Sequence, residues 1–415
     1  MSIRLRPPAA IAALTLAALA CAPAGRPRAG VEGDPVTRAL ARSPVIDGHN
    51  DLLIHYLRPD GSFAAADTYD IGGRTDGQTD LARLSRGGVG GAVFTVAASD
   101  PGRALGTLRS GTGLVRALAA RHPGRLEVAL SASGLRAVMG NGRIAAFMAL
   151  EGAELLGDAP SAMQEAFDLG VRSIGLVWNL TNAFADAATD SVRHGGLSAR
   201  GVGLIHEANR LGVLIDLSHA SDAATRAAIE ASAAPVILSH SSARALCPAP
   251  RNAPDDVLRL VGASGGIVMV TLAPYFTTAA HWEWFSKGEA KWAELKRLHG
   301  ADTAAARDAM ERWDREHPEP TVSIGDVADH IDHVRAIAGA GHVGLGSDFD
   351  GMFSRVRGLE DASTFPVLLH ELAARGWTES ELAGLAGGNF LRVLERAEEV
   401  SAKRPPSGRR RPAGR

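Results

Sequence analysis

Eight short apolar runs, each bounded by glycine, proline or polar residues, recur between residues 42 and 395. They lie near residues 44–52, 87–96, 142–152, 171–179, 212–221, 234–242, 265–274 and 341–351. Most are separated by stretches in which apolar residues recur at the spacing of a helix with one buried face. Apolar strands that alternate with such helices predict a parallel sheet that is covered on both faces.

The number of these units narrows the fold class. Eight strand–helix units in about 350 residues predict an α/β fold, a TIM-type (β/α)8 barrel. A doubly wound open sheet is the alternative, but no GxGxxG motif follows the first run, which disfavours a dinucleotide-binding fold. A charged, tryptophan-rich stretch with a helical pattern, residues 281–320, is inserted after the seventh run. It either covers the mouth of the barrel as a lid or packs beside it without a role.

The first 21 residues form a separate segment. Arg4 and Arg6 precede an apolar stretch from Ala9 to Cys21, which is too short to span a bilayer and is typical of a secretory signal. The stretch ends in ALAC, which is similar to a bacterial lipobox, where the cysteine is lipidated. Alanine stands where a lipobox usually has leucine, so an ordinary cleaved signal stays open. We expect export to the periplasm or the outer face of the cell envelope, with a lipid anchor on Cys21.

The rest of the chain divides into three predicted parts. Residues 22–41 are predicted to be a linker, residues 42–397 the barrel domain, and residues 398–415 a basic, proline-rich disordered tail that either touches anionic lipid or has no partner. With Cys21 lipidated or removed, Cys247 has no intramolecular partner, so stability must come from the core or from metal. The net charge of −2 gives no field that attracts nucleic acid, which we exclude as a partner.

Imidazole and carboxylate side chains stand at the C-terminal ends of five runs, where TIM barrels collect their chemistry. They are His49 and Asp51 in the first run, Glu151 in the third, His219 in the fifth, His240 in the sixth and Asp348 in the eighth. His49 and Asp51 face the same way because side chains alternate along a strand. One strand-end histidine is more often a hydrogen-bonded core residue than a ligand, but a set spread over several strand ends indicates a metal site.

The first five of these side chains are too many for one tetrahedral zinc and suit two metals that share a bridge. Glu151 lies in the middle of the strand order and has two oxygens, so it is the predicted bridge. His49 and Asp51 would complete one site and His219 and His240 the other, with a shared water as the second bridge. Such a cationic centre polarises a carbonyl and lowers the pKa of bound water towards neutrality.

Three other candidates are weighed against structural roles. Asp350 follows Asp348 by two residues on the same face, and either of them is also a candidate helix N-cap. His330 and His333 have the spacing of a helical metal pair, but they precede the last run, in the outer helix layer. We interpret the two histidines as structural.

Seven segments spread over nearly the whole chain after the signal form recognisable motifs. They are IDGHNDL, ALEGAELL, LGVLIDLSHAS, APVILSHSSARALCPAPRNAPDDVLRLV, VADHIDHV, VGLGSDFDG and GLEDAS. Together they resemble the membrane (renal) dipeptidase family of zinc metallopeptidases. The resemblance implies a binuclear zinc TIM barrel that hydrolyses dipeptides, and many members accept a D-residue on the C-terminal side. The residues that match the family's metal ligands are His49, Asp51, Glu151, His219 and His240, with Glu151 bridging.

The resemblance also implies roles for two further residues. Asp348, in GSDFDG, matches the aspartate assigned to proton transfer, and the implied nucleophile is a hydroxide that bridges two zinc ions. Arg251, in APRNAPDD, matches the arginine that holds the terminal carboxylate of the substrate. The fork of a guanidinium suits that task.

One position departs from the family pattern. Animal members carry a histidine after the fourth strand, assigned to the scissile carbonyl, where this chain has Trp178 in GLVWNLTNAFADA. An indole N–H donates one hydrogen bond but cannot become a cation. Either the substrate range differs or another group stabilises the oxyanion. We expect Trp178 to line the substrate pocket.

Zinc-dependent hydrolysis of dipeptides is therefore the predicted function, and two alternatives are kept. An amidohydrolase that acts on N-acyl amino acids or lactones would use the same binuclear centre. A non-catalytic binding protein of the cell envelope is disfavoured, because a binding module has no need of Asp348 and all five ligands. The expected partners are a small dipeptide, a membrane reached through lipid on Cys21, and a second copy of the chain in a homodimer.

Overall fold

The strands of this computed structural model, which describes residues 33–97, 104–157, 161–300 and 302–403, all run parallel in one sheet. In the described residues they are β1 Val45–Asn50, β2 Val89–Val96, β3 Leu126–Val128, β4 Ile144–Leu150, β5 Val171–Gly175, β6 Leu214–Asp216, β7 Ile237–Leu238, β8 Ile267–Thr271 and β9 Val343–Gly346. The sheet order is β2-β1-β9-β8-β7-β6-β5-β4, and β2 also pairs with β4. This last pairing closes eight strands into the predicted TIM-type barrel.

β3 lies outside the eight strands of the barrel and was not predicted from the sequence. It pairs with the first residues of β4, where Leu126 lies opposite Ile144, whereas β5 pairs with the last residues of β4. Among the described strands, β3 therefore pairs with β4 alone and is not one of the eight strands that close the barrel. Three residues are too few for a periodic pattern, so the sequence carries no signal for this strand.

Helices cover the barrel between most of the strands. In the described residues they are α1 Pro35–Arg42, α2 Leu81–Arg86, α3 Ala104–Arg121, α4 Ala132–Gly140, α5 Ala162–Asp168, α6 Ala199–Leu211, α7 Asp222–Ala231, α8 Asp255–Ala263, α9 Ala279–His299, α10 Thr303–Glu316, α11 Ile324–Ala338, α12 Phe365–Ala374, α13 Glu379–Ala383 and α14 Asn389–Ala402. The predicted helical insert after the seventh barrel strand is the pair α9 and α10.

Local sequence sets the ends of these helices. Ser198 and Ser221 accept hydrogen bonds from the backbone N–H groups three residues later, which caps the starts of α6 and α7. Gly212 ends α6 in the left-handed conformation, with φ of 73°, which glycine adopts without a steric penalty. Both helices are followed at once by barrel strands whose ends carry histidines.

Two predicted domain boundaries differ from the structure. α1 lies mainly within the segment predicted as a linker, and its Val36 and Ala39 are buried. α14 continues to Ala402, five residues into the segment predicted as a disordered tail. Both helices have an apolar face that packs on the domain, so ordered structure extends beyond residues 42–397. The predicted signal, Cys21 and most of the basic tail lie outside the described residues.

The core has two layers because the strands are buried on both faces. Along β4, Ala145, Phe147 and Ala149 belong to the cluster inside the barrel, whereas the alternate residues pack against the helices. The ring of Phe390 in α14 meets Phe147 edge to face, with ring centroids 5.8 Å apart. Apolar side chains thus fill the barrel interior next to α14, and the polar side chains lie at the C-terminal ends of the strands. No helix in the described residues is long and apolar enough to cross a membrane.

Candidate metal centre

The six predicted strand-end residues come together at the C-terminal mouth of the barrel. His49 is the second-to-last residue of β1. Asp51 directly follows β1, and Glu151 directly follows β4. His219 follows β6 by three residues, and His240 and Asp348 follow β7 and β9 by two. All but Asp51 are buried, and Asp51 is partly buried. The parallel barrel thus brings into one place groups that are far apart in sequence.

The Glu151 carboxylate lies at the centre of the cluster. Its Oε1 atom is 2.9 Å from His219 Nε2 and 3.5 Å from the Nε2 atoms of His49 and His240. Asp51 Oδ1 is 3.5 Å from His49 Nε2. A central carboxylate with histidines on either side is the arrangement that a bridging ligand requires.

Two of the sets that the donor atoms form have no residue in common, and each of them fits a metal ion. Glu151, His219 and His240 make one set within 4.8 Å, and His49, Asp51 and Asp348 make another. The Nε2 atoms of His219 and His240 are 2.9 Å apart. His49 Nε2 and His219 Nδ1 are buried without a hydrogen-bond partner among the described residues. Nitrogen lone pairs this close repel unless a proton or a cation lies between them, so the donor set fits a divalent metal.

The electrostatics of the mouth also favour a cation. Burial, together with the carboxylates of Asp51 and Asp348, raises the pKa of Glu151 well above its usual value, against the opposing effect of His49. Burial and the neighbouring Asp51 raise the pKa of Asp348 to about 7. Although burial disfavours its cation, the carboxylates of Asp51 and Glu151 raise the pKa of His49 to about 10. The carboxylates of Asp51, Glu151 and Asp348 thus lie close together, and a bound cation would stabilise the ionised form of each.

Burial acts on the two remaining histidines in the opposite direction. It lowers the pKa of His219 and of His240 well below the usual value, and the positive charges of Arg251 and His49 add to the effect. Both rings are therefore neutral at physiological pH. A neutral imidazole is the form that ligates a metal.

Asp348 and Asp350 point to different surroundings. Asp348 lines the cavity at the mouth, and its backbone N–H donates to His49 O at 3.0 Å. The Asp350 carboxylate accepts from the backbone N–H of Gln78 at 2.6 Å and lies 3.1 Å from His55 Nε2. Both aspartates are left-handed, with φ of 65° and 71°, which is uncommon outside glycine and concentrates at functional sites. This double turn places Asp348, rather than Asp350, beside the cluster.

A cavity of about 190 Å³ opens above the cluster and has a largely aromatic and aliphatic wall. The apolar lining residues are Ile54, Leu57, Phe63, Ala97, Trp178, Tyr275, Phe276, Phe285 and Phe353. Trp178 is one of the residues that line the cavity at the mouth. Phe285 and Glu289 belong to α9, so the inserted helix forms part of the wall. The insert is therefore a structural component of the cavity.

Arg251 lies in the same cavity, and its guanidinium is buried. The residue is 5% exposed, and neither Nη1 nor Nη2 has a hydrogen-bond partner within the described part of the chain. Burial lowers the pKa of its guanidinium to about 10, so the group stays cationic at neutral pH. Its carbon is 5.4 Å from the centre of the Phe276 ring. A buried cation with a free fork is suited to bind an anion that enters the cavity.

A neighbouring asparagine holds the Arg251 loop in place. Asn252 Nδ2 donates to Cys247 O and to Phe276 O, both at 2.9 Å. Its Oδ1 accepts from the backbone N–H of Ser242 at 3.3 Å. Because Asn252 is buried and fully engaged, it ties the arginine loop to the loop that carries the aromatic wall.

Several residues of the site were missed from sequence. Tyr275 lines the cavity, and burial, with the charges of Asp348 and Asp51, raises the pKa of its phenol well above the usual value, so it stays a neutral donor. It lies on a loop four residues after β8, where no periodic pattern marks it. Buried aspartates before two of the strand-end histidines, Asp47 and Asp216, were equally unmarked, although both precede a histidine within three residues.

The two helical histidines interpreted as structural are engaged elsewhere. His330 Nδ1 accepts from the backbone N–H of Ala243 at 3.0 Å, and its Nε2 lies 2.7 Å from Thr277 O. His333 Nε2 lies 2.8 Å from Asp255 Oδ1. Both rings connect α11 to neighbouring elements, so their spacing does not mark a metal site.

Comparisons with known proteins agree with this arrangement. A sequence profile of the family described as "Membrane dipeptidase (Peptidase family M19)" matches residues 34–408. The chain is 35% identical over 386 residues to Dipeptidase aclJ of Aspergillus oryzae, covering 90% of this chain and 83% of that protein.

Two solved structures have the same fold. A metallopeptidase from Rhodobacter sphaeroides, liganded with a phosphinate mimic of the dipeptide L-Ala-D-Ala, superposes with a TM-score of 0.70 at 26% identity, covering 86% of this chain and 99% of that one. PvdM of Pseudomonas aeruginosa, described as a probable dipeptidase, gives a TM-score of 0.75 at 24% identity, covering 90% and 100%. The second likeness concerns the fold alone.

Proposed function

Because the chain belongs to the membrane dipeptidase family, peptidase family M19, we propose that it hydrolyses dipeptides with two zinc ions at the barrel mouth. Metal-dependent hydrolysis of dipeptides is the family activity, in agreement with the prediction from sequence. The number and identity of the ions are our proposal. The proposed ligands are His49, Asp51, Glu151, His219 and His240.

The observation that carries the proposal is the position of Arg251 relative to the donor cluster. One cavity is lined by Asp51, Glu151, His219 and His240 and by the buried guanidinium of Arg251, whose two terminal nitrogens have no hydrogen-bond partner among the described residues. A dipeptide has a free carboxylate one residue beyond its scissile bond. One dipeptide could therefore place its scissile carbonyl at the donor cluster and its carboxylate at Arg251. Paired N–H groups of arginine match the two oxygens of a carboxylate.

The side chains divide the work of hydrolysis. Zinc ions held at the mouth would polarise the scissile carbonyl and lower the pKa of water towards neutrality. Glu151 stands between the histidines and would hold the two ions close to each other. Asp348 would accept the proton of the attacking water and return it to the leaving amine. Tyr275 offers a neutral hydrogen-bond donor in the same cavity.

The wall of the cavity sets a preference for substrate side chains. Trp178 stands where animal members of the family carry a histidine, and Phe285 lies on the inserted helix α9. Both line the cavity, as does Phe63. Broad apolar surfaces favour apolar and aromatic side chains. We therefore assign dipeptides with apolar residues as the preferred substrates.

A substrate panel tests the proposed reaction. The panel contains free dipeptides, the same dipeptides amidated at the C-terminus, N-acyl amino acids and lactones. We expect the highest specificity constants with free dipeptides and poor turnover of the amidated forms. Faster hydrolysis of N-acyl amino acids or lactones than of any dipeptide would favour the amidohydrolase alternative.

Export and lipid attachment are proposed from the sequence of the first 21 residues. Cys21 would carry the lipid, which a metabolic label with radioactive palmitate detects on the full chain. Cys21→Ser should abolish the label and release the protein from the membrane fraction, whereas Cys247→Ser, at the other cysteine, should change neither. The homodimer stays a prediction, which light scattering of the purified protein checks.

A further inference from the structure

A buried carboxylate, Asp216, joins the two loops that carry His219 and His240. Ser218 Oγ donates to Asp216 Oδ1 at 2.7 Å, and Ser239 Oγ donates to Asp216 Oδ2 at 2.5 Å. The backbone N–H groups of the same two serines donate to Oδ1 at 3.0 Å each. Asp216 is 9% exposed, so four hydrogen bonds from two neighbouring strand ends converge on one buried group.

The direction of these hydrogen bonds fixes the state of one histidine ring. An ionised carboxylate only accepts hydrogen bonds, so the single proton of the Ser239 hydroxyl points at Asp216. Ser239 Oγ lies 2.8 Å from His240 Nδ1 and must accept a hydrogen bond from it. His240 therefore carries its proton on Nδ1 and has a lone pair on Nε2. That Nε2 faces His219 at 2.9 Å and Glu151 at 3.5 Å, inside the proposed metal centre.

The same hydroxyl reaches a histidine of the other half of the centre. Ser239 Oγ is 3.5 Å from His49 Nδ1, the distance that also separates His49 Nδ1 from Thr95 Oγ1. Asp216 groups with His49 and His240 in a third set of donors within 4.8 Å. The rings of His49 and His240 are in contact, with centroids 3.7 Å apart. Asp216 and Ser239 thus lie behind one histidine of each proposed metal site.

Ser218 makes a different use of the same carboxylate. Its Oγ accepts from the backbone N–H of His240 at 3.1 Å and touches Ser239 Oγ at 3.2 Å. It contacts no imidazole nitrogen in the described residues, and His219 Nδ1 has no hydrogen-bond partner there. The repeated sequence Leu-Ser-His therefore has two functions: one serine supports the backbone and the other supports a ring.

We propose that Asp216 and Ser239 are positioning residues that fix the Nδ1-protonated tautomer of His240 and thereby set the zinc affinity of the barrel mouth. This inference rests on the proposed metal centre. Groups behind a metal ligand orient its ring and raise its basicity, and their loss typically weakens metal binding by about 10- to 100-fold.

The test compares alanine variants of Ser218 and Ser239, whose hydroxyls donate to the same carboxylate, Asp216. Ser239→Ala removes the acceptor of the His240 proton. Ser218→Ala is the matched control, because it also removes a hydroxyl that donates to Asp216 but leaves the contact between Ser239 and the His240 ring in place. Zinc dissociation constants of the full chain are measured by competition with a chromophoric chelator. We expect Ser239→Ala to weaken at least one zinc site by about 10- to 100-fold, and Ser218→Ala to change affinity by less than about 3-fold.

Asp216→Asn gives a second, sharper variant. An asparagine NH2 can donate to Ser239, which frees the serine proton to point at His240 and favours the opposite tautomer. Nitrogen-15 chemical shifts of histidine-labelled, metal-free protein report the tautomer directly, without any activity assay. Wild type should show His240 protonated on Nδ1, and Asp216→Asn should shift it towards Nε2.

Failure of the inference and failure of the metal centre give different results. Wild-type protein that binds no zinc would remove the proposed function. Two zinc ions bound with equal affinity by wild type, Ser239→Ala and Ser218→Ala, or an unchanged tautomer in Asp216→Asn, would overturn the positioning role alone. Circular dichroism confirms that each variant is folded before its affinity is interpreted.

Discussion

The cavity has a floor and a wall that are built in different ways. The floor consists of His49, Asp51, Glu151, His219, His240 and Asp348, which stand on or within three residues of barrel strands. The wall consists mainly of Trp178, Arg251, Tyr275, Phe276, Phe285 and Phe353, which stand on connecting loops and on α9. Strand ends are fixed by the barrel, whereas loops vary without disturbing it. The floor therefore suits the chemistry, and the wall suits the choice of substrate.

The difference extends to hydrogen bonding. Two floor residues are supported from behind by a buried aspartate and a serine. Ser347 Oγ donates to Asp47 Oδ2 at 2.6 Å and to His49 O at 3.1 Å, and Ser239 Oγ donates to Asp216 Oδ2 at 2.5 Å beside His240. In the wall, neither terminal nitrogen of Arg251 has a hydrogen-bond partner among the described residues, and the aromatic rings contact one another. Changes in the floor should abolish turnover, and changes in the wall should alter substrate binding and preference. Four predictions test this division, in order of expected effect.

The largest effect is expected from the floor histidines. His219→Ala or His240→Ala removes a proposed ligand, so one metal site should empty preferentially and turnover should be lost with it. Zinc content and dipeptide hydrolysis are measured on the same sample. His333→Ala, a histidine of the outer helix layer, is the control and should keep both. Full activity in either floor variant would contradict the ligand assignment.

A large effect is also expected from Asp348. Asp348→Asn keeps the shape and removes the proton acceptor, and general acid–base catalysis contributes roughly 10²–10⁴-fold. Turnover should fall by about that factor while zinc stays bound. Asp350→Asn is the matched control, because its carboxylate is engaged with Gln78 and His55 away from the cavity. Retained turnover in Asp348→Asn with a loss in Asp350→Asn would exchange the two roles.

An intermediate effect is expected from the cation in the wall. Hydrogen bonds to charged groups contribute roughly 1.5–3 kcal/mol, so Arg251→Ala should raise KM for free dipeptides by about 10- to 150-fold. The fall in turnover should be smaller, because Arg251 is away from the scissile bond in the proposed binding mode. C-terminally amidated dipeptides serve as the comparison. An equal loss towards free and amidated substrates would show that Arg251 does not bind the carboxylate.

The smallest effect is expected from Trp178. Replacing the indole by the histidine of animal relatives removes apolar surface and adds a polar donor, so Trp178→His should shift preference towards small side chains without displacing zinc. Specificity constants for one large apolar and one small dipeptide are compared in the two proteins. An unchanged ratio would place Trp178 outside the substrate pocket, and a loss of zinc would place it in the floor.

The same division explains how far the sequence could be interpreted. Apolar runs mark the strands, and the parallel barrel then requires their ends to meet, so the convergence of the six floor residues could be predicted. β3 is too short to have a pattern, and α1 was mistaken for a linker because it lies between the signal and the first strand. The choice between Asp348 and Asp350 depends on two left-handed backbone conformations that no spacing reveals.

The wall was less accessible from sequence because its residues depend on tertiary packing. Tyr275, Phe285 and Phe353 stack on one another but come from three separate segments of the chain. No sequence pattern in those segments predicts the contact. The support behind the floor was missed for a similar reason, since Ser239 and Asp216 meet across two strands. Arg251 and Trp178 were found because a family resemblance, rather than periodicity, pointed to them.

The zinc content of active enzyme tests the central claim most directly. Elemental analysis of purified protein, together with stepwise return of zinc to chelator-treated protein, measures how many ions are bound and how many are needed for turnover. A floor with five proposed ligands and a central Glu151 predicts about two zinc ions per chain, loss of activity on chelation, and recovery that is complete only at the second equivalent. Full activity with one ion or none per chain would contradict the binuclear centre.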